Sequence, residues 1–136
     1  MDSDSDLRLT IARVARRMRH ERVNPDLSDG QTAVLFSLDV HGARTLSELS
    51  SHEGVTAPSM NRTVNSLELA GLLVRSASPD DGRTVLITLT EAGRELVHET
   101  RHRREAWFAD RLSTLSPVER AALDAAAPVL RKLAEK

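Results

Sequence analysis

Leu7, Ile11, Val14, Ala15 and Met18 recur at steps of three and four residues, and Arg8, Arg13, Arg16, Arg17, Arg19 and Arg22 fill much of the surface between them. That period predicts an amphipathic first helix, favoured at its start by the Ser and Asp residues of the opening MDSDSD and stopped by Asn24-Pro25. Ser28 with Gln31 forms a capping box for a second helix through Val34, Leu35 and Leu38 to about His41, closed by Gly42. Thr45 with Glu48 opens a short third helix that runs out near Glu53-Gly54, and Thr56 caps a fourth, with Pro58 in its first turn, ending at Ala70-Gly71.

The period then changes. Leu72 to Ser76 and Thr84 to Leu89 read as strands, the second with Val85, Ile87 and Leu89 on one face, and the polar SPDDGR between them reads as a hairpin tip. This hairpin is the only sheet expected. A long helix follows from Thr90 to about Leu112. A last one opens on Ser116, Pro117 and Glu119, with its apolar surface from Leu115, Val118, Ala122, Leu123, Ala126, Leu130 and Leu133, and with a kink or irregularity expected at Pro128. The order predicts a mainly α protein with a small β-hairpin wing: a winged helix-turn-helix flanked by N- and C-terminal dimerisation helices. Its expected divisions are 1–27, 28–90 and 91–136.

The fourth helix has two faces. Met60, Val64 and Leu67 point inward, while Arg62 and Asn65 lie opposite, with Pro58, Ser59, Asn61 and Ser66 on the flanks. Arg pairs bidentately with guanine and Asn with adenine, and Ser and Thr reach phosphates, so the outer face carries chemistry suited to a major groove. A soluble helix with a polar outer face shows the same stripe. The short helix, Gly turn, capped polar helix and Arg-tipped hairpin together are more specific than any one of them. Leu69 shares the outer face without a functional reason.

Composition narrows the partners. With 136 residues there is room for one domain or two closely packed subdomains. Aromatic residues are 2%, namely Phe36, Trp107 and Phe108, too few for stacking platforms that hold single strands. The absence of Cys removes disulfides, thiolate metal sites and thiol redox sensing. The formal net charge of -1 announces no nucleic-acid partner, and no region is strongly polarised, so duplex binding would depend on individual arginines. No apolar run is long enough to span a bilayer, and the expected location is cytoplasmic, at the nucleoid.

The stretch TLSELSSHEGVTAPSMNRTVNSLELAGLLVRSASPDDGRTVLITLTEAGREL resembles the multiple antibiotic resistance regulator (MarR) family of bacterial winged-helix transcription factors. The likeness runs from about Ser28 to Leu96. It rests on LSEL in the first helix of the motif, the Arg-containing recognition helix ending in LE and GL, D-x-R at Asp81 to Arg83, and L-T-x-x-G at Leu89 to Gly93. The resemblance implies a homodimer presenting two winged helices to successive major grooves of a pseudo-palindromic duplex. It implies recognition contacts from Ser59, Asn61 and Arg62, an Arg83 placed in the minor groove, and an Asp81 that steadies neighbouring arginines. Ser66 departs from the family, which often has a basic residue there, and weaker phosphate contact is expected.

Thr45, Ser47, Thr56, Pro58, Asn65 and Arg75 complete the expected DNA-contacting set, although Thr45 also suits a simple cap and Arg75 could equally be solvated. The resemblance further implies a repressor relieved by a small aromatic or anionic ligand between the winged helix and the dimer helices; Arg17, His20, Phe36 and Trp107 are candidates to line that crevice, although each suits a structural or solvated place better. No cofactor, bound metal, membrane or enzymatic activity is expected.

Two other readings remain. HETRH at 98–102 satisfies the zincin pattern H-E-x-x-H, with His98 and His102 one turn apart, Glu99 as base and Glu119 as the nearest downstream third ligand. Chance gives such a pattern in roughly one of seventy chains of this length and His and Glu content, so the motif is weak by itself, and it falls on an expected dimer helix. A winged helix can also serve as a protein-interaction module without DNA, because fold alone does not fix function.

Overall fold

The computed structural model describes residues 2–135. They form helices α1 (Ser3–Arg19), α2 (Asp29–His41), α3 (Leu46–Glu53) and α4 (Ala57–Leu69), a hairpin of β1 (Leu73–Ala77) and β2 (Val85–Leu89), and helices α5 (Glu91–Leu112) and α6 (Pro117–Ala134). Local side chains set most of these starts. The expected capping boxes form at α2, α3 and α6, where Ser28, Thr45 and Ser116 exchange hydrogen bonds with Gln31, Glu48 and Glu119. Asp2 caps α1 by accepting from the Ser5 N–H at 2.7 Å.

α1 stops at Arg19, earlier than Asn24-Pro25 would require. Arg22 donates to the Leu27 carbonyl and to Asp29 Oδ1, and Asn24 Oδ1 accepts from the Asp26 N–H at 3.0 Å. These bonds fold 20–28 into an irregular link in place of another helical turn. At the other end of the chain, α6 runs through Pro128 as a single helix.

The strands pair antiparallel with Leu73 opposite Leu89 and Ala77 opposite Val85. β1 begins one residue later than expected, because Leu72 lies in the turn that closes α4. Gly71 turns with φ 77° and the Leu72 N–H donates back to the Leu67 carbonyl at 3.0 Å. The hairpin is also not alone. Arg44 forms a single bridge to Ile87 on the outer edge of β2, with N···O distances of 3.1 and 2.7 Å, a contact of one residue that leaves no alternating pattern to read. Ile87 and Leu89 are buried, but Val85 is exposed because that end of the hairpin projects beyond the core.

The core gathers Leu35 and Leu38 of α2, Leu49 of α3, Met60, Val64 and Leu67 of α4, Leu73 and Ile87 of the hairpin, and Val97 of α5. Gly93 locks α5 onto it. A Cβ at this position would lie 2.0 Å from the Leu72 carbonyl oxygen, while Thr90 donates from its N–H to that same oxygen at 3.1 Å and from its hydroxyl to the Gly71 carbonyl at 2.7 Å. The Gly of L-T-x-x-G is therefore a packing requirement, because any side chain would collide with backbone. By contrast, α1 and α6 contain no buried residue. Among the described residues no helix is long and apolar enough to cross a membrane.

Candidate nucleic-acid interface

α3 and α4 are joined by Gly54 and Val55. Gly54 adopts the left-handed conformation (φ 66°, ψ 33°), and the Val55 N–H donates to the Ser50 carbonyl at 3.1 Å, which closes α3 and turns the chain. Thr56 then caps α4 by accepting from the Ser59 N–H at 3.2 Å, with Pro58 in the first turn. Met60, Val64 and Leu67 anchor one side of α4 in the core, so the opposite stripe is held outward by packing. Arg62 and Asn65 are exposed on that stripe, with Asn61 and Ser66 exposed and Ser59 half-buried on its flanks. Leu69 is 90% exposed.

The remaining residues divide by what already engages them. The Thr45 hydroxyl accepts from the Glu48 N–H at 3.2 Å, so Thr45 is a cap in this structure, with Ser47 exposed in the first turn beside it. Bonds from the Thr45 backbone and side chain hold the Glu48 carboxyl below its ordinary range. Ser66 accepts from the Gln31 amide nitrogen at 3.0 Å, which ties α4 to the start of α2. Arg75 is neither solvated nor pointing free. It pairs with Glu68 at 2.8 Å and donates to Asn61 Oδ1 at 2.9 Å.

Asp81 shapes the wing tip rather than gripping a guanidinium. Its carboxylate accepts from the Arg83 backbone N–H and from the Thr84 hydroxyl, each at 3.0 Å, while the Thr84 N–H donates to its carbonyl. The expected contact to arginine side chains is replaced by a turn brace, and Arg83 is left exposed at the tip. Among the described residues no ion pair engages Arg62 or Arg83.

The four candidates for a ligand site are not gathered around one cavity. A space of about 10 Å³, enough for one water, lies between α2 and α5 and is lined by Arg22, Thr32, Phe36 and Thr100 among others. Phe36 alone of the four lines it. Arg101 and Arg104 stack over Phe36 with guanidinium carbons 5.3 and 4.9 Å from the ring centre, a cluster that sequence spacing did not reveal. Burial, and then the neighbouring Arg22 charge, push the Arg104 guanidinium below its usual range, with Asp29 opposing. Arg17 and His20 are exposed, and Trp107 stacks with Phe108 under Arg111.

His98, Glu99 and His102 are exposed along α5, and Glu119 caps α6 by accepting from the Ser116 N–H at 2.9 Å. Among the described residues, no three His, Asp or Glu side chains are grouped as metal ligands would be.

A packed helix-turn-helix whose outer stripe is polar and basic, followed by a hairpin tipped with an unpaired arginine, defines a winged helix-turn-helix protein. The MarR family model matches residues 27–85. An HTH-type transcriptional regulator of Mycobacterium tuberculosis is 38% identical over 140 residues, covering 100% of this chain and 98% of the relative. A transcriptional regulator protein of Pseudomonas aeruginosa is 32% identical, with a TM-score of 0.84 over 96% of this chain and 93% of that one. A MepR mutant of Staphylococcus aureus bound to an oligodeoxyribonucleotide shares the fold, with a TM-score of 0.72, 19% identity and 99% of each chain covered. The chain belongs to the MarR family and is a helix-turn-helix transcriptional regulator.

Proposed function

We propose that two copies of the chain bind a pseudo-palindromic duplex operator, each laying α4 in a major groove and Arg83 in the adjacent minor groove. The observation that carries this reading is the pairing state of the bases. Arg62 on α4 and Arg83 on the wing are exposed without an ion pair, whereas Arg75 between them is already neutralised by Glu68. These two arginines, on α4 and the wing and doubled by symmetry, give a chain of net charge -1 its grip on phosphate and base edges. Ser59, Asn61 and Asn65 supply the rest of the reading face, with Thr45, Ser47, Thr56 and Pro58 at the two helix N-termini beside the backbone.

Pairing of two chains is supported by surface area. The chain exposes 9426 Å², against roughly 7000 Å² for a compact monomer of this mass. The excess, on the order of 2000 Å², is what an obligate partner conceals. A partner's cover is most needed on α1 and α6, where Leu7, Ile11, Val14, Val118, Leu130 and Leu133 are all exposed. On this reading 28–90 reads DNA while 1–27 and 91–136 pair the chains, with the first turns of α5 serving both. The protein then works at the nucleoid as a repressor. A small aromatic or anionic effector would bind beside Phe36, where the one-water space requires the partner chain or a shift of α5 to open. Relief follows only if that ligand prefers a spacing of the two α4 helices that the operator does not fit.

Arg62→Ala and Arg83→Ala test the reading by duplex titration over a range of salt. Each is expected to weaken binding about tenfold without lowering the melting temperature, and wild-type affinity should fall steeply with salt. Unchanged affinity in both variants contradicts it and favours a protein-interaction module.

A further inference from the structure

Arg75 joins the wing to α4 through one guanidinium and one backbone group. Its Nη1 donates to Glu68 Oε1 at 2.8 Å, its Nη2 donates to Asn61 Oδ1 at 2.9 Å, and its N–H donates to Glu68 Oε2 at 3.3 Å. Asn61 and Glu68 are two turns apart and so lie on one stripe of α4, the stripe that faces β1. The backbone bond fits the ladder. Arg75 lies opposite Ile87, whose own N–H goes outward to Arg44, so the Arg75 N–H also points away from the pair and is free to meet Glu68. The Arg75 side chain is 25% exposed and its charge is matched by Glu68, which leaves little for a phosphate.

The consequence falls on Asn61. Arginine has five donors and no acceptor, so the amide oxygen of Asn61 must face Arg75 and the amide nitrogen must face away. An unconstrained asparagine reads adenine bidentately, accepting from N6 and donating to N7. An asparagine whose oxygen is turned toward Arg75 presents its amide nitrogen to the groove and offers donors there, which match the paired acceptors O6 and N7 of guanine and O4 of thymine, whereas adenine sets its N6 donor beside N7 and opposes an amide nitrogen.

We propose that Arg75 is a positioning residue for sequence reading: by holding the Asn61 oxygen it makes Asn61 a donor toward the major groove, so that the base beneath it is guanine or thymine rather than adenine. The proposal rests on the DNA-binding reading above. Arg75 on this account contacts no phosphate.

The test compares base preferences selected from random duplexes by the full-length protein, by Arg75→Ala and by Asn61→Ala, together with the salt dependence of binding to the wild-type site. Failure of the wild-type protein to select any duplex counts against the DNA reading itself, before the variants are compared. Once it selects, guanine or thymine is expected at one position repeated in each half-site. Arg75→Ala should change the discrimination there about tenfold, leave the other positions intact and leave the salt slope unchanged. Asn61→Ala should erase the preference at the same position, and the double variant should add nothing further. Arg75→Met, which keeps the aliphatic stem and removes the donors, carries the same expectation should the alanine variant fold poorly. Adenine at that position in the wild-type site, or a uniform loss of affinity with the salt slope reduced by about one, overturns the proposal.

Discussion

Both α4 and α6 are capped amphipathic helices with proline near the start, yet α4 buries Met60, Val64 and Leu67 completely while α6 buries nothing, leaving Val118 80% and Leu133 70% exposed. The difference does not lie in the quality of their apolar stripes. α4 is flanked within a few residues by α3 and the hairpin, which close over it. α6 follows the far end of a 22-residue α5 that has already carried the chain away from the core. An amphipathic pattern states that a helix needs a cover. Connection length decides whether the same chain can supply it, and α1 and α6 are placed where it cannot.

That contrast can be broken from either side. The largest effect is expected at Gly93, where α5 meets the core. Gly93→Ala forces a Cβ against the Leu72 carbonyl, and a loss of about 3 kcal/mol with a fall in melting temperature of roughly 10 °C is expected by calorimetry. An unchanged melting temperature would mean that α5 docks less tightly than the packing indicates.

A smaller effect on folding but a large one on assembly is expected in α6. Leu123→Asp with Leu130→Asp should raise the dimer dissociation constant by about a hundredfold or more in sedimentation equilibrium, while Met60, Val64 and Leu67 remain protected from exchange in the winged helix. Loss of the winged helix in this variant would contradict the separation of the two regions.

The smallest effect is expected in acid. Bonds to Ser116 hold the Glu119 carboxyl below its ordinary value of 4.5, and bonds to Ser5 hold Asp2 below 3.8. A depressed carboxyl stabilises the fold above its unfolded pKa, and that contribution is lost as the pH falls through the lower folded value. Protection of the amides in the first turns of α6 and α1, taken relative to the intrinsic exchange rate at each pH, should therefore fall as the pH drops below these values. Protection in the first turn of α3, where Glu48 plays the same part beneath the packed Leu49, should fall less. Equal changes in α3 and α6 would show that packing does not protect the cap.

Much of the molecule was legible because its signals are local. Ser28 with Gln31, Thr45 with Glu48 and Ser116 with Glu119 mark helix starts within three residues, and the inward stripe of α4 follows from its period alone. What could not be read depends on residues distant in sequence. The Arg44 bridge involves one residue on each side, and the stacking of Arg101 and Arg104 on Phe36 spans more than sixty positions. The link from Arg75 to Asn61 requires knowing how far the hairpin folds back over α4. One trace of it was present: Glu68 and Arg75, of opposite charge, flank the Gly71 turn. For the candidate site, residue types on the outer face of α4 were visible in the sequence. Which of them are engaged by neighbours was not, and that decides which arginines are available.

Selection of duplexes from a random pool by the wild-type protein tests the account most directly, because it requires both regions to act as described. An enriched inverted repeat, with half-sites centred about one helical turn or 10 base pairs apart, is the expected result. Enrichment of an unrepeated half-site would contradict the pairing of chains through α1 and α6, and no enrichment at all would contradict the reading of DNA by α4 and the wing.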